Sequence, residues 1–131
     1  MPVLDMPIKE MESYLGKSIK PNDFDDFREN EINTIDINNI EYKIVKKDFK
    51  NKQADYYEIY FKGIDGANIY AKYICPTTSN KVPIVLEFHD YKEASRGWHH
   101  LTRYIALGYS VIAMDCRGQG GKSEDIGGTK G

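Results

Sequence analysis

The sequence predicts an α/β domain built from a helical N-terminal arm, an antiparallel hairpin and a parallel β-α-β unit. Three observations carry this. "DYYEIYFKGIDGANIYAKYICP" (residues 55–76) falls into two long alternating runs about the turn residues Asp65 and Gly66. "VPIVLEFH" (82–89) and "SVIAMD" (110–115) are short and almost wholly apolar, the pattern of strands covered on both faces. Between them, "WHHLTRYIALG" (98–108) places Trp98, Leu101, Ile105 and Gly108 along one helical stripe.

The elements follow in chain order. Asp5 is placed to cap a short helix over residues 6–15, with Pro7 in its first turn and Gly16 to end it. A second helix is expected after "KPND", where Phe24, Phe27 and Ile35 give one sparse apolar face among many acids. These helices make up an arm over residues 1–37, and residues 38–131 carry the sheet. "IEYKIVKKDF" (40–49) reads as a weak strand. In the hairpin, Tyr57, Ile59 and Phe61 share one face and Tyr56, Glu58 and Tyr60 the other, while Ile69, Ala71, Tyr73 and Cys75 share a face of the second strand. A right-handed crossover through the 98–108 helix would make the last two strands parallel.

Composition narrows the function. Lys plus Arg number 18 against 20 for Asp plus Glu, without a block of either sign, so neither nucleic acid nor an anionic membrane is the expected partner. "MPVLDMPIKEMESYLG" has no basic leader and no apolar run of signal or spanning length, which predicts a cytoplasmic protein. The two cysteines, Cys75 and Cys116, end apolar strands and read as small buried hydrophobes. No second Cys or His stands at ligand spacing, so neither a metal nor another cofactor is expected.

The glycine-rich stretch "DCRGQGGKSEDIGGTKG" (115–131) invites a phosphate reading. A P-loop would need glycine where Cys116 stands and a helix directly after Ser123, where the sequence is again glycine-rich. The dinucleotide fingerprint fails too, since Gly118 and Gly120 are followed by glycine at 121 and not at 123. For a nucleophile elbow, Ser123 follows Gly121 at the right spacing, but Asp125 occupies the second glycine's place. His89 closes a buried strand, and His99 and His100 open the next helix, where packing and capping roles are favoured. Tyr91 follows "LEFHD", at the carboxyl end of a strand, where a backbone N–H can face a reacting carbonyl or simply belong to a strand-to-helix loop.

Taken together, "DMPIKEMESYLG", "DFDDF", the hairpin, "VPIVLEFHDY", "ALGYSVIAMD" and "RGQGGKSED" resemble the acetyl xylan esterase and cephalosporin-C deacetylase family of α/β-hydrolases. The resemblance runs along nearly the whole chain, and "RGQGG" is its most specific part. It implies a partial α/β-hydrolase fold acting on an acetylated small carbohydrate or similar acetyl ester. Arg117 and Gln119 would brace the active-site region, and Tyr91 would donate a backbone N–H to the oxyanion hole. The family's glycine before that tyrosine is Asp90 here. Its G-x-S-Q-G turn, aspartate and histidine are not in this sequence, so the chain is expected to be an N-terminal segment, inactive alone. A non-catalytic binding module on the same scaffold, and a phosphate binder through Arg117, Lys122 and the glycines, are the alternatives. If the family's strand order holds, "SVIAMD" lies between the hairpin and "VPIVLEFH". That leaves the edge of "VPIVLEFH" open and predicts a homo-oligomer, by edge pairing or exchange of the arm.

Overall fold

The computed structural model describes residues 6–127. The chain divides into two units, residues 1–35 and 36–131, so residues 36 and 37 go with the sheet.

In the first unit, α1 spans Ile8–Met11 and α2 spans Phe24–Asn33, and neither contains a buried residue. The first helix is shorter than the expected 6–15. Ser13 turns both its N–H and its hydroxyl back to the Glu10 carbonyl, each at 3.3 Å, which tightens the last turn instead of extending the helix. Pro7 stands at the cap and not inside the first turn, and Asp5 lies outside the described residues. In α2, Phe24 and Phe27 are exposed, and Ile35 falls beyond the C-cap residue Thr34.

The second unit is a mixed five-stranded sheet. Its strands are β1 (Tyr42–Lys47), β2 (Ala54–Lys62), β3 (Asn68–Pro76), β4 (Ile84–Phe88) and β5 (Ser110–Met114), with α3 (Trp98–Ala106) between the last two. The spatial order is β1-β2-β3-β5-β4, antiparallel throughout except for the parallel β4–β5 pair. This is the predicted α/β architecture, with β5 between the hairpin and β4 as the family order requires. The β2–β3 connection closes through Gly63 N–H to the Ala67 carbonyl at 2.8 Å, and Asp65 and Gly66 both take positive φ, 59° and 79°. A short polar residue and a glycine tolerate that region at little cost.

Register assigns each row of side chains a purpose. Tyr56, Ile74, Val111 and Val85 lie in one line across four strands, facing α3. With Ala54, Ala113 and Leu101 they form the core, against which Trp98, Tyr104 and Ile105 pack. Leu101 is wholly buried, worth about 1.5–3 kcal/mol of apolar transfer. Two residues further along β5 the same face turns polar, in the row Glu58, Lys72, Ala113 and Glu87. The sheet is thus greasy under α3 and polar toward the carboxyl ends of β4 and β5. Gly108, expected on the helical stripe, lies beyond α3 with φ +82°.

The opposite face departs from the expectation of strands covered on both sides. Ile84, Leu86 and Phe88 of β4 are 52%, 61% and 62% exposed. Both cysteines are free thiols and half-buried, less enclosed than the sequence suggested. No helix among the described residues is long and apolar enough to cross a membrane.

Candidate functional site

Parallel pairing of β4 and β5 ends in register at Phe88 and Met114, so the segments leaving the two strands run side by side. One carries His89, Asp90, Tyr91, Lys92 and Ser95; the other carries Asp115 and the "RGQGG" corner. What holds them together is polar, because both emerge where the sheet has turned polar.

Asp115 is the centre. It is 1% exposed, and its two carboxylate oxygens accept the Ser95 N–H and the Lys122 N–H, both at 2.8 Å. Its own N–H donates to the Tyr70 carbonyl at 2.9 Å, and its carbonyl accepts the Ser123 hydroxyl at 2.6 Å. A carboxylate in this position needs such partners, since an unpaired buried charge is very costly. Burial alone would raise its pKa, but the bonds from Ser95 and Lys122, with Lys72 nearby, hold it below the usual carboxylate range. Gly121 makes the approach possible: with φ at +111°, a Cβ there would lie 2.3 Å from an Asp115 oxygen.

Further bonds tie the loop around Tyr91 to the same corner. Cys116 N–H donates to His89 Nε2 at 2.9 Å, and the other ring nitrogen lies 2.8 Å from the Asp90 carbonyl. An accepting Nε2 assigns the ring proton to Nδ1. Lys92 N–H donates to the Gln119 side-chain oxygen at 2.5 Å. Gly120 lies so close to this loop that a Cβ there would come 2.9 Å from the Glu93 carbonyl oxygen. Tyr91 is therefore held on both sides, at His89 and at Lys92. The ladder ends at Phe88, and among the described residues the Tyr91 N–H donates to no protein acceptor. Tyr91 is 66% exposed.

The residues singled out from sequence fall in two places. Gln119 and Tyr91 come together through Lys92, whereas Arg117 reaches the hairpin turn, donating to the Ile64 carbonyl and to Asp125, each at 3.3 Å. Asp90 does not require glycine's freedom. The described non-glycine residues with positive φ are Asp65 and Lys92, so the unusual backbone in this loop lies two residues later, at Lys92 with φ 64°. Ser123 is committed structurally, donating to the Asp115 carbonyl and accepting the Tyr70 N–H at 2.9 Å. Sequence reading missed Asp115, Ser95 and Lys72; a lone aspartate directly after an apolar strand was the available signal.

A second polar knot supports the corner from β2. Glu58 accepts from the Tyr70 hydroxyl and the Lys122 ammonium, both at 3.1 Å, and pairs with Lys47 at 3.4 Å. Burial opposes its ionisation, but the bonds from Lys122 and Tyr70 prevail and lower its pKa. Burial and the neighbouring Glu58 push the Tyr70 phenol upward. No group of three or more potential ligands among the described residues could hold a metal.

The family model described as "Acetyl xylan esterase (AXE1)" matches residues 1–131. The chain belongs to the acetyl xylan esterase family. Among solved structures, it is similar to acetyl xylan esterase 1 from Thermoanaerobacterium sp. JW/SL YS485, with 38% identity over 97% of this chain and a TM-score of 0.87. Acetyl xylan esterase from Paenibacillus sp. R4 matches at 25% identity over 92% of the chain, with a TM-score of 0.78. A cold-adapted esterase from an Arctic intertidal metagenomic library, at 19% identity over 66% of this chain and a TM-score of 0.51, shares the fold. The chain spans about 40% of the length of the two acetyl xylan esterases. In this acetyl xylan esterase family member, the five strands correspond to part of the α/β-hydrolase-like sheet of its relatives.

Proposed function

We propose that residues 1–131 form the N-terminal part of a serine carboxylic-ester hydrolase, with Tyr91 supplying one backbone N–H of its oxyanion hole. The substrates in this reading are acetylated sugars, xylan or cephalosporin C. The supporting observation is the Tyr91 N–H itself, outside the ladder at the carboxyl end of β4 and pinned at His89 by Cys116 and at Lys92 by Gln119.

A serine hydroxyl attacks the acetyl carbonyl as a histidine takes its proton. Negative charge then develops on the carbonyl oxygen, where fixed N–H donors stabilise it more than they stabilise the neutral ester. Tyr91 provides one such donor. Gln119 fixes the Lys92 peptide beside it, and Arg117 anchors the corner to the hairpin turn. The nucleophile, acid and base are not among these 131 residues, which contain no G-x-S-x-G turn. Association belongs to the same reading: the exposed apolar face of β4, at the end of the strand order, supports a homo-oligomer.

Replacing Tyr91 by proline in the full gene product removes the N–H. Loss of one such donor lowers kcat by about 10²- to 10³-fold. Hydrolysis of p-nitrophenyl acetate at an unchanged rate would refute the role.

A further inference from the structure

We propose that Asp115 is the positioning residue of the oxyanion loop: a buried carboxylate whose two oxygens clamp the segment following β4 to the segment following β5, thereby aiming the Tyr91 N–H. The inference rests on the reading of Tyr91 as an oxyanion donor.

The two bonds run in different directions. One oxygen takes the Ser95 N–H from the first segment and the other takes the Lys122 N–H from the second, so one side chain bridges both. Ser95 is gripped from its far side as well. Lys72 Nζ donates to its carbonyl at 2.9 Å and to its hydroxyl at 2.6 Å. A serine beside a lysine suggests a nucleophile and its base, but Ser95 is only 8% exposed and the same ammonium also holds backbone. The pair is a brace. Its lysine stands on β3 in register with Ala113 of β5, two residues before Asp115, so the sheet itself fixes the anchor.

Only a carboxylate satisfies both donors. Asparagine has one acceptor oxygen, and its amide would point N–H against N–H at the other contact. Gly120 and Gly121 allow the close approach from the "RGQGG" side, the first against Glu93 and the second against Asp115 itself. Gln119 makes the neighbouring tie at Lys92, half-exposed and outside the buried anchor.

The test uses the full gene product and three variants: Asp115→Asn, Tyr91→Pro and the double substitution. Hydrogen–deuterium exchange in the 89–97 segment is expected to quicken about ten-fold in Asp115→Asn, with the β2–β3 ladder unchanged. Toward p-nitrophenyl acetate, kcat is expected to fall about 10²-fold while KM stays within about twofold. In the Tyr91→Pro background the same substitution should cost almost nothing more, because the donor it aims is gone. Full additivity, or a loss confined to KM, overturns the positioning role. If Asp115→Asn does not fold, Ser95→Pro takes its place, removing one of the two N–H donors the carboxylate holds, with faster exchange across 89–97 and about a ten-fold lower kcat expected. An unaffected Tyr91→Pro enzyme, or a gene product without esterase activity, sinks the oxyanion reading. The exchange measurement still decides the clamp, since unchanged exchange at 89–97 overturns it.

Discussion

At the scale of single residues, the site depends on carboxylates held ionised in places that would otherwise neutralise them. Asp115 and Glu58 both have pKa values lowered in the fold, against their burial. The unfolded chain therefore takes up their protons first as pH falls. Their stabilisation is complete above the ordinary carboxylate pKa of about 4 and is lost as pH descends through the lower folded values. Thermal melts between pH 7 and pH 2.5 should show a steep loss below about pH 4, and Asp115→Asn should flatten it. Equal slopes for both proteins would contradict the assignment. The sequence pointed to Tyr91 by its place after an apolar strand, and to Gln119 only through the resemblance of "RGQGG" to the family motif. Asp115 was not, because its partners lie 20 residues before it, at Ser95, and seven after it, at Lys122. Periodicity reports which face a residue occupies and is silent about contacts between loops.

At the scale of elements, legibility followed the strength of alternation. The hairpin carries strict period-two patterns on both strands, and the structure reproduces the faces assigned to Tyr56 through Phe61 and Ile69 through Cys75. The arm has no such pattern. There Ser13 competes for the Glu10 carbonyl and ends α1 early, a local hydrogen-bond choice that composition does not announce. In α3 the stripe was readable, and Leu101 is its keystone: fully buried between β3 and β5, with Trp98 and Ile105 on either side. Leu101→Ala removes most of that side chain and leaves a void, so a loss of about 2–5 kcal/mol is expected in denaturant unfolding. A loss below about 1 kcal/mol would mean that α3 is not clamped to the sheet in this way. The aromatic cluster of Phe49, Tyr56 and Trp98, with ring centroids 4.7–5.9 Å apart, extends the same core to the loop after β1.

At the scale of the whole molecule, an apolar strand, a helix and a second apolar strand make a parallel pair, whereas the place of β5 between the hairpin and β4 was legible only through the resemblance to the family. The exposed face of β4 was less legible, because an apolar strand looks the same in sequence whether or not a layer lies over it. Its three large side chains project beside an edge with unpaired backbone groups, the arrangement that recruits another chain. The polypeptide 1–131 is therefore expected to associate, its mass in light scattering rising with concentration across a dilution series. A sharp monomer at every concentration, with a cooperative melt, would contradict that. The central claim is that this chain carries one half of an oxyanion hole and none of the residues that attack. Release of p-nitrophenol from its acetate by purified polypeptide 1–131 tests it most directly. No turnover above buffer is predicted, and turnover abolished by a serine-directed fluorophosphonate would contradict it.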